Sequence, residues 1–440
     1  MDSKMLLDSW EQKGSDLDEF KALMADRDDN TMFLEVYNDT LGLCSLNRDD
    51  QNTGYIIDSR FIQRLRAGNG ALMKVEVPKS DPSLFNETYF GTGFLLTRDN
   101  VKKSTRFSCD VNHPIAYYTS LRFMDTFAKR CDVKAERISK PSIARDIFIM
   151  DGLYESCQDS KPKKGRSILV IRHADHEVNG QMKKRRKVFA ALSASYVGTK
   201  LSIIPEICEL IMNDGTLGKA EFHSYSCSNF ATEGIVEFPE IAKRMQEKYG
   251  LKDLIIPGIR IKSSDTGDAS ISVSGTYRVE SSESYVIYQK TTRRNTGKFS
   301  EDEIMKDVNN VFSKMEDLPR CLSTKVKSFI SSANTRKMNW TDENFSNISD
   351  AYKKAMDRLN MQTLLGAKRS KRLLNDILGD VNATKQYSEY DIAVTLLKAG
   401  DRIPPMNTSV VEQIRETLSR TAKFSYVVRH DDDYVKTETA

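Results

Sequence analysis

The chain is poor in residues that break or staple a fold. Among 440 residues there are 11 prolines and 22 glycines, and no long linker of Gly, Ser and Pro. Seven cysteines are scattered from Cys44 to Cys321, an odd count with no Cys-x-x-Cys pair. That pattern excludes a disulfide framework and predicts free thiols in a reducing cytoplasm. No run of 18 apolar residues occurs, so no membrane partner is expected. The N-terminal stretch MDSKMLLDSWEQKGSDLDEF is acidic and lacks the apolar segment of a signal peptide. Phosphate-loop and dinucleotide glycine patterns are missing, since Gly91 and Gly93 precede no helical pattern. No nucleophile elbow and no strand-borne acidic cluster is present. No cofactor, no metal and no catalytic residue is therefore expected, and the chain reads as a non-enzyme.

Excess charge of one sign is lacking too. Lys and Arg number 66 against 62 Asp and Glu, a net of +4. Overall charge thus does not announce a polyanion partner, and any such signal must be local. Hydrophobic residues make up 39% and charged residues 29% of the chain, with a mean hydropathy of −0.50. This is a globular composition with a polar surface, and a chain of this length buries a core without metal or disulfide staples.

Periodicity predicts an α+β fold. Residues 1–30 read as a helical arm, with Leu17, Phe20, Leu23 and Met24 at helical spacing. Residues 31–140 read as strands and turns closing on a helix near 115–128. Residues 141–300 form a central α+β region. Its features are a buried-type strand SILVI, a basic helix over about 181–196, a helix from Pro205, a helix ended by Gly250, and β-rich segments over 254–290. Residues 301–425 read as helices, with Ser300 and Glu303 as a capping box, and 426–440 as an acidic tail.

The strongest local charge feature spans Lys161 to Lys187. Ten basic residues stand there against Asp175 and Glu177 alone, a local net of about +8. Like charges packed this densely repel, and a phosphate backbone relieves them. Candidate backbone contacts are Arg172, Lys183, Lys184, Arg185, Arg186 and Lys187, with Arg293 and Arg294 beyond. The bland alternative is a solvated helix face. A smaller cluster, Lys368, Arg369, Lys371 and Arg372, reads as the polar side of an amphipathic helix. Tyr277, Tyr285 and Tyr288 lie among Arg278, Lys290, Arg293 and Arg294, where strand-borne rings stack on unpaired bases; tyrosine also packs well in strands for its own sake. The turn SSDTGD offers Ser263, Ser264 and Thr266, with Arg260 and Arg278 on the strands beside it, as a phosphate cradle or as an ordinary hairpin connection. Gly267 there is expected at positive φ. The pairs His173/His176, Cys109/His113 and His223/Cys227 share no ligand spacing and do not make a zinc site.

Two resemblances bear on function. The strand SILVI followed by Arg172 and His173 resembles the start of the histidine phosphatase superfamily. There the resemblance implies a phosphorylated His173 and a phosphoryl-holding Arg172, but EVNGQMKKRRKVF does not continue the pattern. More of the chain is similar to the phage/plasmid-like proteins grouped as domain of unknown function 932, over roughly 165–425. The segments concerned are VIRHADHEVNGQMKKRRKVFAALSASY, IPGIRIKSSDTGDASISVSGTYRV and YDIAVTLLKAGDR with VVEQIRETLSRTA. Ser264, Thr266, Gly267, Tyr277 and Arg278 match best, whereas ESSESYVIYQKTTRRNTGK departs from the family's continuation. That resemblance implies a phage protein in the cytoplasm of a bacterial host, without implying a chemistry. Charge and origin together predict a phage-encoded nucleic-acid-binding protein. Its expected partner is single-stranded DNA or RNA, it is a possible homo-oligomer, and it acts in replication, recombination or protection of phage DNA. The alternatives are a virion or assembly protein and a histidine-phosphatase-like enzyme.

Overall fold

A computed structural model describes residues 2–37, 41–46, 53–58, 73–76, 94–97, 115–130, 166–178, 181–198, 200–267, 270–293, 301–326, 352–353, 355–357, 360–379, 387–403 and 408–420. The fold is α+β, built on antiparallel sheets with helices gathered toward the C-terminal side of the chain. Arg294, the Ser300 cap and the acidic tail lie outside the described residues.

Among the described residues, fourteen strands form two sheets. The first strands are β1 (Glu11–Gly14), β2 (Thr31–Tyr37), β3 (Leu41–Leu46), β4 (Thr53–Asp58), β5 (Met73–Glu76), β6 (Phe94–Thr97) and β7 (Ile115–Thr119). Then come β8 (Arg166–Val178), β9 (Gln181–Ser193), β10 (Glu221–Ser228), β11 (Thr232–Glu237), β12 (Ile255–Ser263), β13 (Ile271–Val279) and β14 (Tyr285–Arg293). One sheet has six strands in the order β1-β10-β11-β12-β13-β14; the other has eight, in the order β2-β8-β9-β7-β6-β3-β4-β5.

Residues 2–30, read from the sequence as a helical arm, are not helical throughout. They hold a short 3-10 turn (Ser3–Leu6), β1, and helix α1 (Leu17–Asp29). Asp16 starts α1 by accepting from the Asp18 and Glu19 amides, and Asp18 and Glu19 suit the positive end of the helix dipole. Phe20 and Met24 are fully buried. They pack with helix α3 (Ile203–Asn213) on the apolar face of the six-stranded sheet, against Val236, Ile259, Ile261 and Val273. Helix α2 (Leu121–Arg130) lies on β9 of the other sheet.

Helix α4 (Pro239–Tyr249) has Pro in its first turn and ends at Gly250, whose φ of 62° is easy only for glycine. Helices α5 (Glu301–Phe312) and α6 (Asp317–Ser323) follow β14. A second core gathers around α7 (Met361–Leu365), α8 (Ala367–Gly379), α9 (Glu389–Lys398) and α10 (Thr408–Leu418), with Tyr352, Tyr390, Leu396, Ile414 and Leu418 buried in it. Ser388 and Asp391 form a reciprocal capping box on α9. No helix of the described residues is long and apolar enough to cross a membrane.

Candidate nucleic-acid interface

The basic stretch is not a helix. Lys183, Lys184, Arg185, Arg186 and Lys187 belong to β9, in register with β8: His176 faces Lys183, Asp175 faces Lys184, Ala174 faces Arg185, His173 faces Arg186 and Arg172 faces Lys187. Lys, Arg and Ala favour helix in isolation, but strand pairing across a hairpin overrides that preference. The signal that marks the hairpin is Asn179-Gly180, standing between paired Val178 and Gln181. That dipeptide is the one most favoured in two-residue hairpin connections.

Among the described residues, neighbouring strands support only the root of this hairpin. The β2 register on β8 ends at Arg172, and the described pairing of β7 with β9 is at Lys187 and Val188. From Ala174 onward, among the described residues, the two strands pair with each other alone, and the segment carrying Lys183–Arg186 is described as a two-stranded ribbon. Ala174 and Phe189 at its root are buried against Leu6. Arg186 is exposed.

The other described candidates, Arg172, Lys187 and Arg293, are engaged within the protein. Arg172 is fully buried, and its Nη2 donates to both Asp265 oxygens at 2.7 and 2.8 Å. It also bonds the Asn229 side chain and backbone carbonyl and lies over Phe189 at 4.3 Å. Asp265 takes a second buried cation, Arg27 of α1, at 3.0 Å. Burial alone raises the Asp265 pKa, but the charges of Arg172 and Arg27 outweigh burial and hold it below the usual carboxylate range. Burial and the Arg27 charge lower Arg172 to about 10. A guanidinium occupied in this way is closed to a nucleic-acid phosphate and to the phosphoryl role that the phosphatase resemblance implies. Lys187 is likewise buried, with Nζ 2.6 Å from Asp8 Oδ1 and 2.7 Å from the Leu6 carbonyl. Arg293 pairs with Asp307 at 2.5 Å and Glu303 at 3.4 Å.

Ser263 to Thr266 of the SSDTGD segment are buried as well. Ser263, Ser264 and Thr266 are wholly enclosed, and the Ser264 and Thr266 hydroxyls bond each other at 2.9 Å. Arg260 is held by Glu233 and Glu412, and Arg278 by both oxygens of Glu237 at 2.8 Å. The turn is therefore no phosphate cradle; it plugs the six-stranded sheet into the ribbon's root. Gly267 has the expected positive φ, 80°.

The three tyrosines are packed rather than presented. Tyr277 and Tyr288 stack on each other at 4.3 Å and donate to the Met315 and Val311 carbonyls at 3.0 and 3.1 Å. Tyr285 is buried, donates to Glu233 at 3.0 Å and is covered by Arg415. Lys368, Arg369, Lys371 and Arg372 are exposed on α8 while Leu373 and Ile377 face the core, as an amphipathic helix requires. Among the described residues no group of three or more His, Cys, Asp and Glu side chains converges as a metal site.

Sequence reasoning missed the buried cluster of Arg27, Arg172 and Asp265, because its members come from three segments far apart in the chain. Of the candidate contacts, the ribbon residues Lys183, Lys184, Arg185 and Arg186 stand together. No family model, curated protein or solved structure matches this chain.

Proposed function

We propose that this protein binds nucleic acid and that the β8–β9 ribbon supplies its phosphate contacts. The observation that carries the reading is the position of four successive basic residues, Lys183–Arg186, on a strand pair that runs beyond the last neighbouring strand among the described residues. Backbone contacts from Lys and Arg dominate nucleic-acid affinity without reading sequence. The favoured target is an unpaired strand of DNA or RNA, in replication, recombination or protection of phage DNA. The family resemblance over 165–425 supports that setting. A protein that coats a strand self-associates along it, so a homo-oligomer on the strand belongs to the same reading.

Filter binding with single-stranded DNA, duplex DNA and RNA over a salt series tests it. Each phosphate contact on a single strand adds about 0.7 to the slope of log affinity against log salt. The combined change Lys183→Glu, Lys184→Glu and Arg186→Glu should lower that slope by about 2 and weaken every nucleic acid, with the melting temperature kept. A slope equal to the parent's would remove the ribbon from the interface.

A further inference from the structure

A cleft of about 690 Å³ opens at the foot of the ribbon, between the polar face of the six-stranded sheet, the N-terminal segment and α10. Its size falls within the range of small-molecule sites. Four carboxylates line it, and each is ion-paired: Asp8 with Lys187, Glu11 with Lys13, and Glu233 and Glu412 with Arg260. The wall is therefore rich in hydrogen-bonding groups and carries no surplus positive charge. Those carboxylates would repel an entering phosphate, whereas a neutral heterocycle with polar edges carries no charge for them to repel.

One detail points to such a guest. Trp10 lines the cleft and keeps part of its surface open, whereas the lining Tyr225 and Tyr285 are buried. Ser224 and Ser226 also line it and are only partly buried. The cleft is joined to the ribbon through Asp8 and Lys187, 2.6 Å apart. Lys183 lies four residues further along β9, about 13 Å at the strand rise.

We propose that this cleft seats one unpaired nucleobase of the strand whose phosphates the ribbon holds. Trp10 stacks on the base, and the Ser224 and Ser226 hydroxyls meet its edge. The proposal rests on the nucleic-acid reading above and gives it a preference for single strands, because a paired base cannot enter.

The test titrates oligothymidylate and a duplex of equal length against the parent, Trp10→Ala and Trp10→Phe. Loss of one stacked base weakens single-strand binding about 5- to 150-fold. Trp10→Ala should show that loss with an unchanged salt slope and unchanged duplex affinity, and Trp10→Phe should recover much of it. Because Trp10 also packs on the core, a second measurement leaves it in place. In a Trp340→Phe background Trp10 is the sole indole, and oligothymidylate should quench its emission while an abasic oligonucleotide should not. Parent-like single-strand affinity of a folded Trp10→Ala, or emission that oligothymidylate leaves unmoved, overturns the base site. If the ribbon variant loses binding in the same experiment, the ribbon reading stands without the cleft. A parent protein that binds no oligonucleotide overturns both.

Discussion

Arg172 places its guanidinium on both carboxylate oxygens of Asp265, at 2.7 and 2.8 Å, with neither side chain more than 2% exposed. Arg172 belongs to the eight-stranded sheet, and Asp265 to the turn that leaves β12 of the six-stranded one. Arg27 of α1 completes the cluster. One carboxylate thus ties together three parts of the fold, and two buried cations depend on it.

Asp265→Ala should cost about 3–5 kcal/mol, because it leaves both guanidinium groups buried without their counter-charge. Urea unfolding followed by circular dichroism measures the loss; a variant within 1 kcal/mol of the parent would show that the cluster contributes little.

Lys187 should behave unlike its neighbours in β9. Lys187→Met removes a buried partner of Asp8, so it should lower the melting temperature. Its salt slope for oligonucleotides should equal the parent's, because a buried ammonium touches no phosphate. A reduced slope with unchanged stability would reverse the assignment.

Gly267→Val should destabilise by about 1–3 kcal/mol, since a β-branched residue is strained at φ 80°. A Cβ there would also approach Leu192 Cδ2 to 2.6 Å. Ser264→Ala with Thr266→Ala should alter stability and leave oligonucleotide affinity alone, because both hydroxyls are enclosed. Differential scanning calorimetry and filter binding separate the two effects.

Acid should weaken the fold through three carboxyls. Burial raises the pKa of Glu233 and Glu412, but for Glu233 the charges of Arg260 and Arg415, and for Glu412 those of Arg260 and Lys262, outweigh it and hold each at about 2. Asp265 is lowered in the same way. The unfolded chain then binds more protons than the folded one, so stability rises with pH in this window. It should be fully present above the ordinary carboxylate range and fall as pH drops through it toward 2. Denaturant midpoints between pH 5 and 2.5 measure the slope, and Glu233→Gln should flatten it.

Local chemistry was legible where it dominates. Gly250 ends α4 and Gly267 takes positive φ because those backbone positions admit little else. Phe20 and Met24 mark the buried side of α1 by their spacing alone, although the segment is core and not an arm. The β12–turn–β13 order was also readable from its texture. The basic segment was not, because a run of Lys and Arg carries helix propensity while its partner strand decides the outcome. Charge alone could not separate Arg186, which is exposed, from Arg172 and Lys187, which are buried. Their partners, Asp265 and Asp8, lie on segments that only the tertiary fold brings near.

The seat of β1 has a consequence for synthesis. Its partner in the six-stranded sheet is β10, with Glu11 beside Ser228. At about 5–20 residues per second, a ribosome needs on the order of 10–40 s to make the roughly 200 residues between them. Until β10 is made, β1 must therefore wait without this partner strand, with an edge open to whatever guards the nascent chain.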